Sequence, residues 1–534
     1  MSHFERFMAI SPQGQAGYRL ETLRPPAALM GANGIRMGPD GRLWICEAFA
    51  QRVVSCDTKT GELTSVIPRD GSLVAPDDLA FDSAGTLYIT DSHRITCRRP
   101  DGSMFTLTDQ LVGANGITVD NEDRLYVDEL RPAGRLMEID RSTGAIRTIV
   151  ASLGFPNACA KGPDGRIYLQ NVVAGSVFAV DVSCGEVEQI AEGFQIISSV
   201  KFDASGRLVL SEGLSGTVTR IDLDTGEREQ IARMPLAGVD NIEFDQEGTL
   251  YVSSYTTGSV LKVPRADQSG GELLVPPGLM RLSSIASGPD GSFLVANLLS
   301  AVQVQADGTF ADWCTWTPAF QEDFVLDIRP LGANEALLLT EGGQVYRCSR
   351  GALSHPVKAA AQDPKSGADV LIAAHGATAL GNAGDRILIA FAGGEVRRFE
   401  SDGTLTLVAS TGRKSIAAIH QRDGVLAAAD PESGAVAIVS EGRVVTVLAG
   451  FARPTGVALN MEAKALFVAE HQMRRVVRCD LGSGAREAVA TDLPFGWPEP
   501  VPPPIGRASL LMQKDGTLVI ACDGDGSIRR LLHR

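Results

Sequence analysis

Short apolar runs of four to six residues, most of them alternating with polar positions, are separated by Gly-rich turns along nearly the whole chain. The stretch Gly31 to Asp57 sets the pattern. A polar turn carrying Asn33 leads into a strand at Ile35 to Met37. A Pro39-Asp40-Gly41 turn leads to a second strand, Leu43 to Cys46, that ends at Glu47. A third strand, Val53 to Cys56, closes at Asp57. Period-two runs bounded by Gly, Asp and Pro predict half-buried β-strands joined by tight turns.

The phrase returns roughly every 40 residues. Its first polar position recurs as Asn33, Asp77, Asn115, Asn157, Ser198, Asp240 and Ser283. The turn after the first strand recurs as Ser83-Ala84-Gly85, Pro163-Asp164-Gly165, Ala204-Ser205-Gly206 and Gln246-Glu247-Gly248. A period near 40 with short strands is the mark of propeller blades. The expected fold is all-β: two six-bladed β-propellers in tandem with four-stranded blades. The first spans 1–275 and the second 276–534, with the boundary in the Pro- and Gly-containing stretch 264–278. Inner strands of the second half are expected near Ser283, Asp327, Thr378, Ser415, Thr455 and Arg507.

The last repeat stops after its third strand, while residues 17–24 alternate like an outer strand before the first repeat. Closed rings need paired first and last blades. That N-terminal strand can complete either ring, and the sequence leaves both arrangements open. A polar, Ala-rich insertion is expected at 355–376. A Pro-rich loop at 494–506, with Phe495 and Trp497, is expected to be a solvated connection or a cap over a propeller face.

A net charge of −15 over 534 residues disfavours nucleic acid and anionic membranes as partners. No apolar window suggests a signal peptide or a membrane span. The nine cysteines lack CxxC spacing and mostly sit in strand patterns, as buried thiols of a reducing compartment do. A cytoplasmic protein acting on a small molecule is expected; the oligomeric state is not legible.

In an antiparallel blade, the start of strand one and the end of strand two lie at the same end. In the first half the strand-one set is Asn33, Asp77 with Asp78, Asn115, Asn157, Ser198 and Asp240 with Asn241. All carry side-chain oxygen. Hard cations such as Ca²⁺ take six to eight oxygen ligands, whereas Zn²⁺ favours His and Cys. The expected metal ligands are Asn33, Asp77, Asn115, Asn157 and Asp240, holding a divalent ion, with Ca²⁺ favoured. In the second half the same reading finds one acid, Asp327, and one base, Arg507, so the site is placed in the first half and the second is given a structural or lid role. Asn, Asp and Ser before a strand also make local turns, so any single position is explained without a ligand. Six polar positions facing one axis are a different matter, because groups buried together need partners.

The strand-two ends add Glu47, Asp91, Asp128, Glu129, Asn171, Glu212 and Ser254. Asp91, His93 and Glu129 are the candidate bases near the mouth. For Glu47, Asp91 and Glu212 turn chemistry is the competing reading, because the second half has such acids too, at Asp430, Glu470 and Asp523. No GxSxG elbow, phosphate loop or dinucleotide fingerprint is present.

The phrases GANGIRMGPDGRLWICE (31–47) and GANGITVDNEDRLYVDE (113–129) resemble blades of the senescence-marker-protein/gluconolactonase family and of related NHL-type propellers, over about residues 30–265. The resemblance implies a six-bladed ring holding a divalent cation, often Ca²⁺, through a Glu, two Asn and an Asp, with the metal polarising a lactone carbonyl or phosphoryl group. Asn115 and Asn157 match the two Asn positions. Asn33 stands where the family has Glu, and Ser198 where it has Asp; the carboxylates stand instead at Asp77 and Asp240. The functions to be weighed are a metal-dependent hydrolase of a lactone or related cyclic ester, a metal-dependent lyase or isomerase, and a non-enzymatic binding scaffold.

Overall fold

Each turn in the sequence pattern is built by its own side chains. Asp57 Oδ1 accepts the backbone N–H groups of Lys59 and Thr60, both at 2.9 Å, and Asp140 and Asp222 repeat this at Thr143 and Thr225. Gly41 takes φ 73°, a region that costs a side chain dearly, and donates to the Gly38 carbonyl at 3.0 Å. The strands between these turns pair antiparallel into four-stranded meanders.

The computed structural model describes residues 11–213, 215–235, 238–265, 270–298, 300–316, 324–351, 353–354, 370–373, 376–384, 386–496 and 506–534. Most of the insertion expected at 355–376, and residues 497–505 of the Pro-rich loop with Trp497, lie outside the described residues. Phe495 is described and buried.

The chain divides into two units, 28–278 and, among the described residues, 11–27 with 279–534. In the first, each sheet begins with one inner strand: Ala32–Met37, Pro76–Phe81, Ala114–Val119, Cys159–Lys161, Ile197–Phe202 and Val239–Phe244. These strands pack side by side in that order, and the last packs on the first. Apolar side chains fill the space between neighbouring sheets. Trp44, Cys46 and Val53 of the first sheet interlock with Leu79, Leu87 and Ile89 of the second. Burial of such side chains supplies roughly 1.5–3 kcal/mol each. The result is an all-β, β-propeller architecture.

In the second unit the inner strands are Leu282–Ser287, Val325–Pro330, Ala377–Ala383, Ala418–Arg422, Pro454–Asn460 and Ser509–Met512, again packed in a closed order. The N-terminal strand Tyr18–Arg24 pairs antiparallel with Ile528–His533, so it completes the sheet of the chain's last strands. Of the two arrangements left open by the sequence, this is the nested one. The first unit is an insertion, in sequence, between the two parts of the second. No helix among the described residues is long and apolar enough to cross a membrane.

Candidate active site in the first unit

The inner strands of the first unit start with irregular pairing. Ala32 faces Glu47 and Ile35 faces Ile45, so Asn33 and Gly34 sit in a bulge; Asp77-Asp78, Asn115-Gly116 and Asp240-Asn241 repeat it. Such bulges re-aim side chains next to functional sites. They create two layers. Asn33, Asp77, Asn115, Asn157, Ser198 and Asp240 form the upper one. Gly34, Asp78, Gly116, Ala158, Ser199 and Asn241 lie one residue further along.

The lower layer is a hydrogen-bonded belt. Asn241 Nδ2 donates to Asp78 Oδ1 at 3.3 Å, and Ser199 Oγ donates to Asn241 Oδ1 at 2.8 Å. Asp78 also accepts the N–H of Leu79 at 2.8 Å and of Ile117, on the next inner strand, at 3.3 Å. Hydroxyls of the second strands lock the upper residues. Thr90 Oγ1 accepts the Asp78 N–H and donates to the Asn115 carbonyl at 2.6 Å. Ser253 Oγ accepts the Asn241 N–H and donates to the Asn33 carbonyl at 2.7 Å. At the matching place in the third sheet stands Asp128, whose Oδ1 accepts the Gly116 N–H at 3.1 Å. Burial, with Asp78, Asp77 and Glu129 nearby, pushes its pKa well up, and its buried Oδ2 has no hydrogen-bond partner among the described residues.

Below this belt the channel is crossed by Arg36. Its Nε donates to the Leu79 carbonyl at 3.0 Å, Nη2 to the Ile117 carbonyl at 3.2 Å, and Nη1 lies 3.4 Å from Glu243 Oε2. Lys201 Nζ lies 3.8 Å from the same oxygen. Burial lowers the Lys201 pKa, with Arg36 adding to it, while Glu243 and Asp78 oppose. The upper layer is therefore a cup with a charged, cross-braced floor.

The structure brings Asp77 and Asp240 into one electrostatic pair. Burial, then the neighbouring Asp78, raises the Asp77 pKa to about 7. Burial, then Asp77 and Asp78, raises that of Asp240 well above the carboxylate range. Asn33 is buried and its Oδ1 has no hydrogen-bond partner among the described residues. Asn115 is buried beside Thr90, and Asn157 donates through Nδ2 to the Ser198 carbonyl at 2.6 Å, which leaves its amide oxygen available. Two carboxylates that repel one another, beside amide oxygens, fit a hard cation completed by water. Among the described residues, no group of three or more His, Cys, Asp and Glu side chains is arranged as metal ligands; the fit rests on the acid pair and the amides.

The expected bases lie elsewhere. Asp91 accepts five donors: the N–H groups of Val74 and Ala75 at 2.8 and 2.7 Å, Arg94 through Nε and Nη2, and Thr96 Oγ1 at 3.1 Å. Glu129 accepts the Val112 N–H at 3.1 Å and pairs with Arg131 and Arg135. Burial works to raise its pKa, but these arginines and the N–H outweigh it, and the net shift is downward. Glu47 with Met30, Glu212 with Gln195, and Glu470 with Ala452 in the second unit repeat the clasp on the loop leading into the same sheet. The strand-two acids hold backbone, and their carboxylates are occupied. His93 is exposed in the turn after Leu87–Asp91.

Pairing register also corrects the second-half ring. There the bulged residues are Ser283, Leu326, Thr378 and Thr455. Asp327 belongs to the lower layer. Its Oδ1 accepts the Ile328 N–H at 2.9 Å and its Oδ2 the Leu380 N–H at 2.8 Å, the two bonds made by Asp78. The one acid counted there is a backbone tie, so none of these four bulged positions carries a carboxylate.

An aromatic pair missed as a pair by the sequence reading flanks the first unit's mouth. Phe49 and Tyr255 follow the second strands of its first and last sheets, with ring centroids 5.0 Å apart. Their positions just past Glu47 and Ser254 were the available signal.

The family model for the SMP-30/Gluconolactonase/LRE-like region matches residues 12–256, and this part of the chain is similar to that family. A gluconolactonase of Zymomonas mobilis is 27% identical over 146 residues, covering 26% of this chain and 33% of the relative. The chain thus spans about a third of that relative's length. Among solved structures, a streptogramin B lyase is 15% identical, covering 62% of this chain and 94% of its own, with a TM-score of 0.33. A catalytically inactive virginiamycin B lyase from Staphylococcus aureus with quinupristin gives 13%, 62%, 98% and 0.34. A chain of a nidogen/laminin complex gives 18%, 43%, 96% and 0.37.

Proposed function

We propose that each closed order of inner strands is a six-bladed propeller, and that the first hydrolyses a small lactone or related cyclic ester with the help of a divalent cation. The observation that carries this reading is the Asp77–Asp240 pair, held facing itself at the mouth of a cup in a lactonase-like family. Its supports are the similarity to a gluconolactonase, the oxygen-only donor set and the blocked floor, which leaves the mouth as the route for substrate. A hard cation is favoured, Ca²⁺ among them.

Asp77 and Asp240, with the amide oxygens of Asn33, Asn115 and Asn157, would hold the ion. When bound, it supplies Lewis-acid polarisation of the ester carbonyl and acidification of water. The chain's own residues do the rest. The belt of Asp78, Asn241 and Ser199 fixes the positions of the two acids, which spares the site reorganisation during reaction. Phe49 and Tyr255 give one side of the mouth an apolar wall against which a ring can lie. Burial raises the pKa of both acids in the metal-free protein, so protons and a cation would compete for the pair and binding of the ion would strengthen as pH rises. Asp91 and Glu129 maintain the loops and keep their ion pairs. The second unit has no such acid pair among its bulged positions and is read as separate from this chemistry. None of the nine cysteines forms a disulfide among the described residues and eight are buried, which supports a cytoplasmic setting.

The test is hydrolysis of a panel of small lactones by the full chain with Ca²⁺, Mg²⁺, Mn²⁺ or Zn²⁺ and after chelation. Ring opening that is lost on chelation, restored by one of these ions and abolished in Asp77→Asn and Asp240→Asn supports the reading. Turnover indifferent to chelation and to both substitutions rejects it.

A further inference from the structure

In the second unit the far end of the channel is hollow. Three positions after the bulge its inner strands carry Ala286, Arg329, Gly381 and Ala458, in the layer that holds Arg36, Lys201 and Glu243 in the first unit. Gly381 is required there by packing, because a Cβ would stand 2.5 Å from the Ile419 carbonyl oxygen. A cavity of 390 Å³ lies at this end, and all the inner strands of the unit contribute to its lining. Small-molecule sites span about 300–1,000 Å³.

The lining is cationic. It includes Arg329, His420, Arg422 and Lys514, and no lining residue carries a carboxylate. Arg329 is spent: it pairs with Asp327 at 2.6 Å and donates to the Leu380 carbonyl at 3.1 Å. Arg422 and Lys514 have no ion-pair partner among the described residues. His420 Nδ1 accepts the Leu459 N–H at 3.1 Å, so its ring hydrogen sits on Nε2 and is available to an acceptor. Burial, then Arg329 and Arg422, lowers its pKa to about 4, so it donates as a neutral imidazole. Asn382 and Gln421 add amides to the rim, while Ile419 and Leu511 give the wall apolar stretches.

We infer that this cavity binds a small organic carboxylate, its charge held by Arg422 and Lys514, an oxygen by His420, and its apolar body by the wall. Two cations without an ion-pair partner among the described residues, beside an imidazole N–H in the same lining, select an anion. The apolar wall favours an organic acid over a bare inorganic ion. The site is built from the second unit alone and does not depend on the chemistry of the first.

Calorimetric titration of the full chain with hexanoate, benzoate and inorganic phosphate tests it. Expected is saturable binding of a carboxylate with 1:1 stoichiometry, tighter than phosphate. In Arg422→Gln/Lys514→Gln the Kd should rise about tenfold or more, as expected for loss of charge-assisted hydrogen bonds. Lys514 is exposed, so Lys514→Glu reverses one charge without disturbing the core and should weaken binding in the same direction. Absence of saturable binding, phosphate bound as tightly as the carboxylates, or affinity unchanged in Lys514→Glu would overturn the proposal.

Discussion

Asn241 donates its amide hydrogen to Asp78 across 3.3 Å, although the two residues stand 163 positions apart in the chain. Their strands are not neighbours; the strand Ala32–Met37 packs between them. The bridge passes because the intervening residue is Gly34. A Cβ there would stand 2.5 Å from both Asp78 Cα and Asp78 Oδ1. Asp240 and Asp77 stand one residue earlier on the same two strands, and burial together with the other's charge disfavours ionising both. The bridge thus ties together the two strands that carry the acids of the site.

Gly34→Ala should therefore break the belt. Overpacking of this kind costs roughly 1–3 kcal/mol, to be read as a lower urea midpoint at unchanged m-value. The loss of cation affinity should exceed what the stability loss alone explains. Gly41→Ala, strained at φ 73° but with open space around it, should cost stability and leave affinity unaltered.

Asp240→Asn should separate stability from function. Replacing one buried acid of the coupled pair by an amide removes the cost of its raised pKa, so metal-free protein near neutral pH should melt higher, by roughly 2–4 °C, while turnover is lost. The pH dependence follows from the sign of the shift. Asp77 has a folded pKa of about 7 against 3.8 for the free group. Between these values the native state holds a proton that the unfolded chain has released. The group's contribution to stability therefore falls as pH rises through that window. Thermal melts of metal-free protein from about pH 4 to 8 should show this decline, and the substitution should flatten it.

Glu129→Gln tests the assignment of the strand-two acids. The substitution removes the charge facing Arg131 and Arg135 and weakens the clasp on Val112. A cost of about 2–4 kcal/mol is expected for disrupting several charge-assisted hydrogen bonds at a buried acid. Turnover per folded molecule should stay within about twofold. A collapse of kcat with stability intact would return Glu129 to the role of base.

The periodic polar position was legible in the sequence: Asn33, Asp77, Asn115, Asn157 and Asp240 recur at blade spacing, and pairing register places Asn33, Asp77, Asn115 and Asp240 in the bulges that open their inner strands. The layer itself was not legible. A bulge of one residue decides whether an aspartate belongs to the mouth, as Asp77 does, or ties backbone beneath it, as Asp78 and Asp327 do, and side-chain period alone does not register that slip. The floor was hidden for another reason. Arg36 meets Glu243 and the carbonyls of Leu79 and Ile117 only after the ring closes. The clasp of Asp91 and Glu129 was half legible: the competing turn reading was available, and the arginines at 94, 131 and 135 stood close by in sequence.

The second unit carries its own pH signature. His420 has a folded pKa of about 4 against 6.5 for the free group. The unfolded chain gains its proton first on acidification, so stability is lost as pH falls from about 6.5 towards 4. His420→Gln, which keeps an acceptor for the Leu459 N–H, should reduce this acid sensitivity in melts followed by circular dichroism.

Cation binding by the metal-free full chain, measured by calorimetry with Ca²⁺ and Mg²⁺ for the native protein and for Asp77→Asn/Asp240→Asn, bears most directly on the account. One divalent ion per chain, bound by the native protein and not by the double variant while both remain folded, is the result expected. Binding that survives the loss of both acids, or a native protein that takes up no divalent ion, would contradict it.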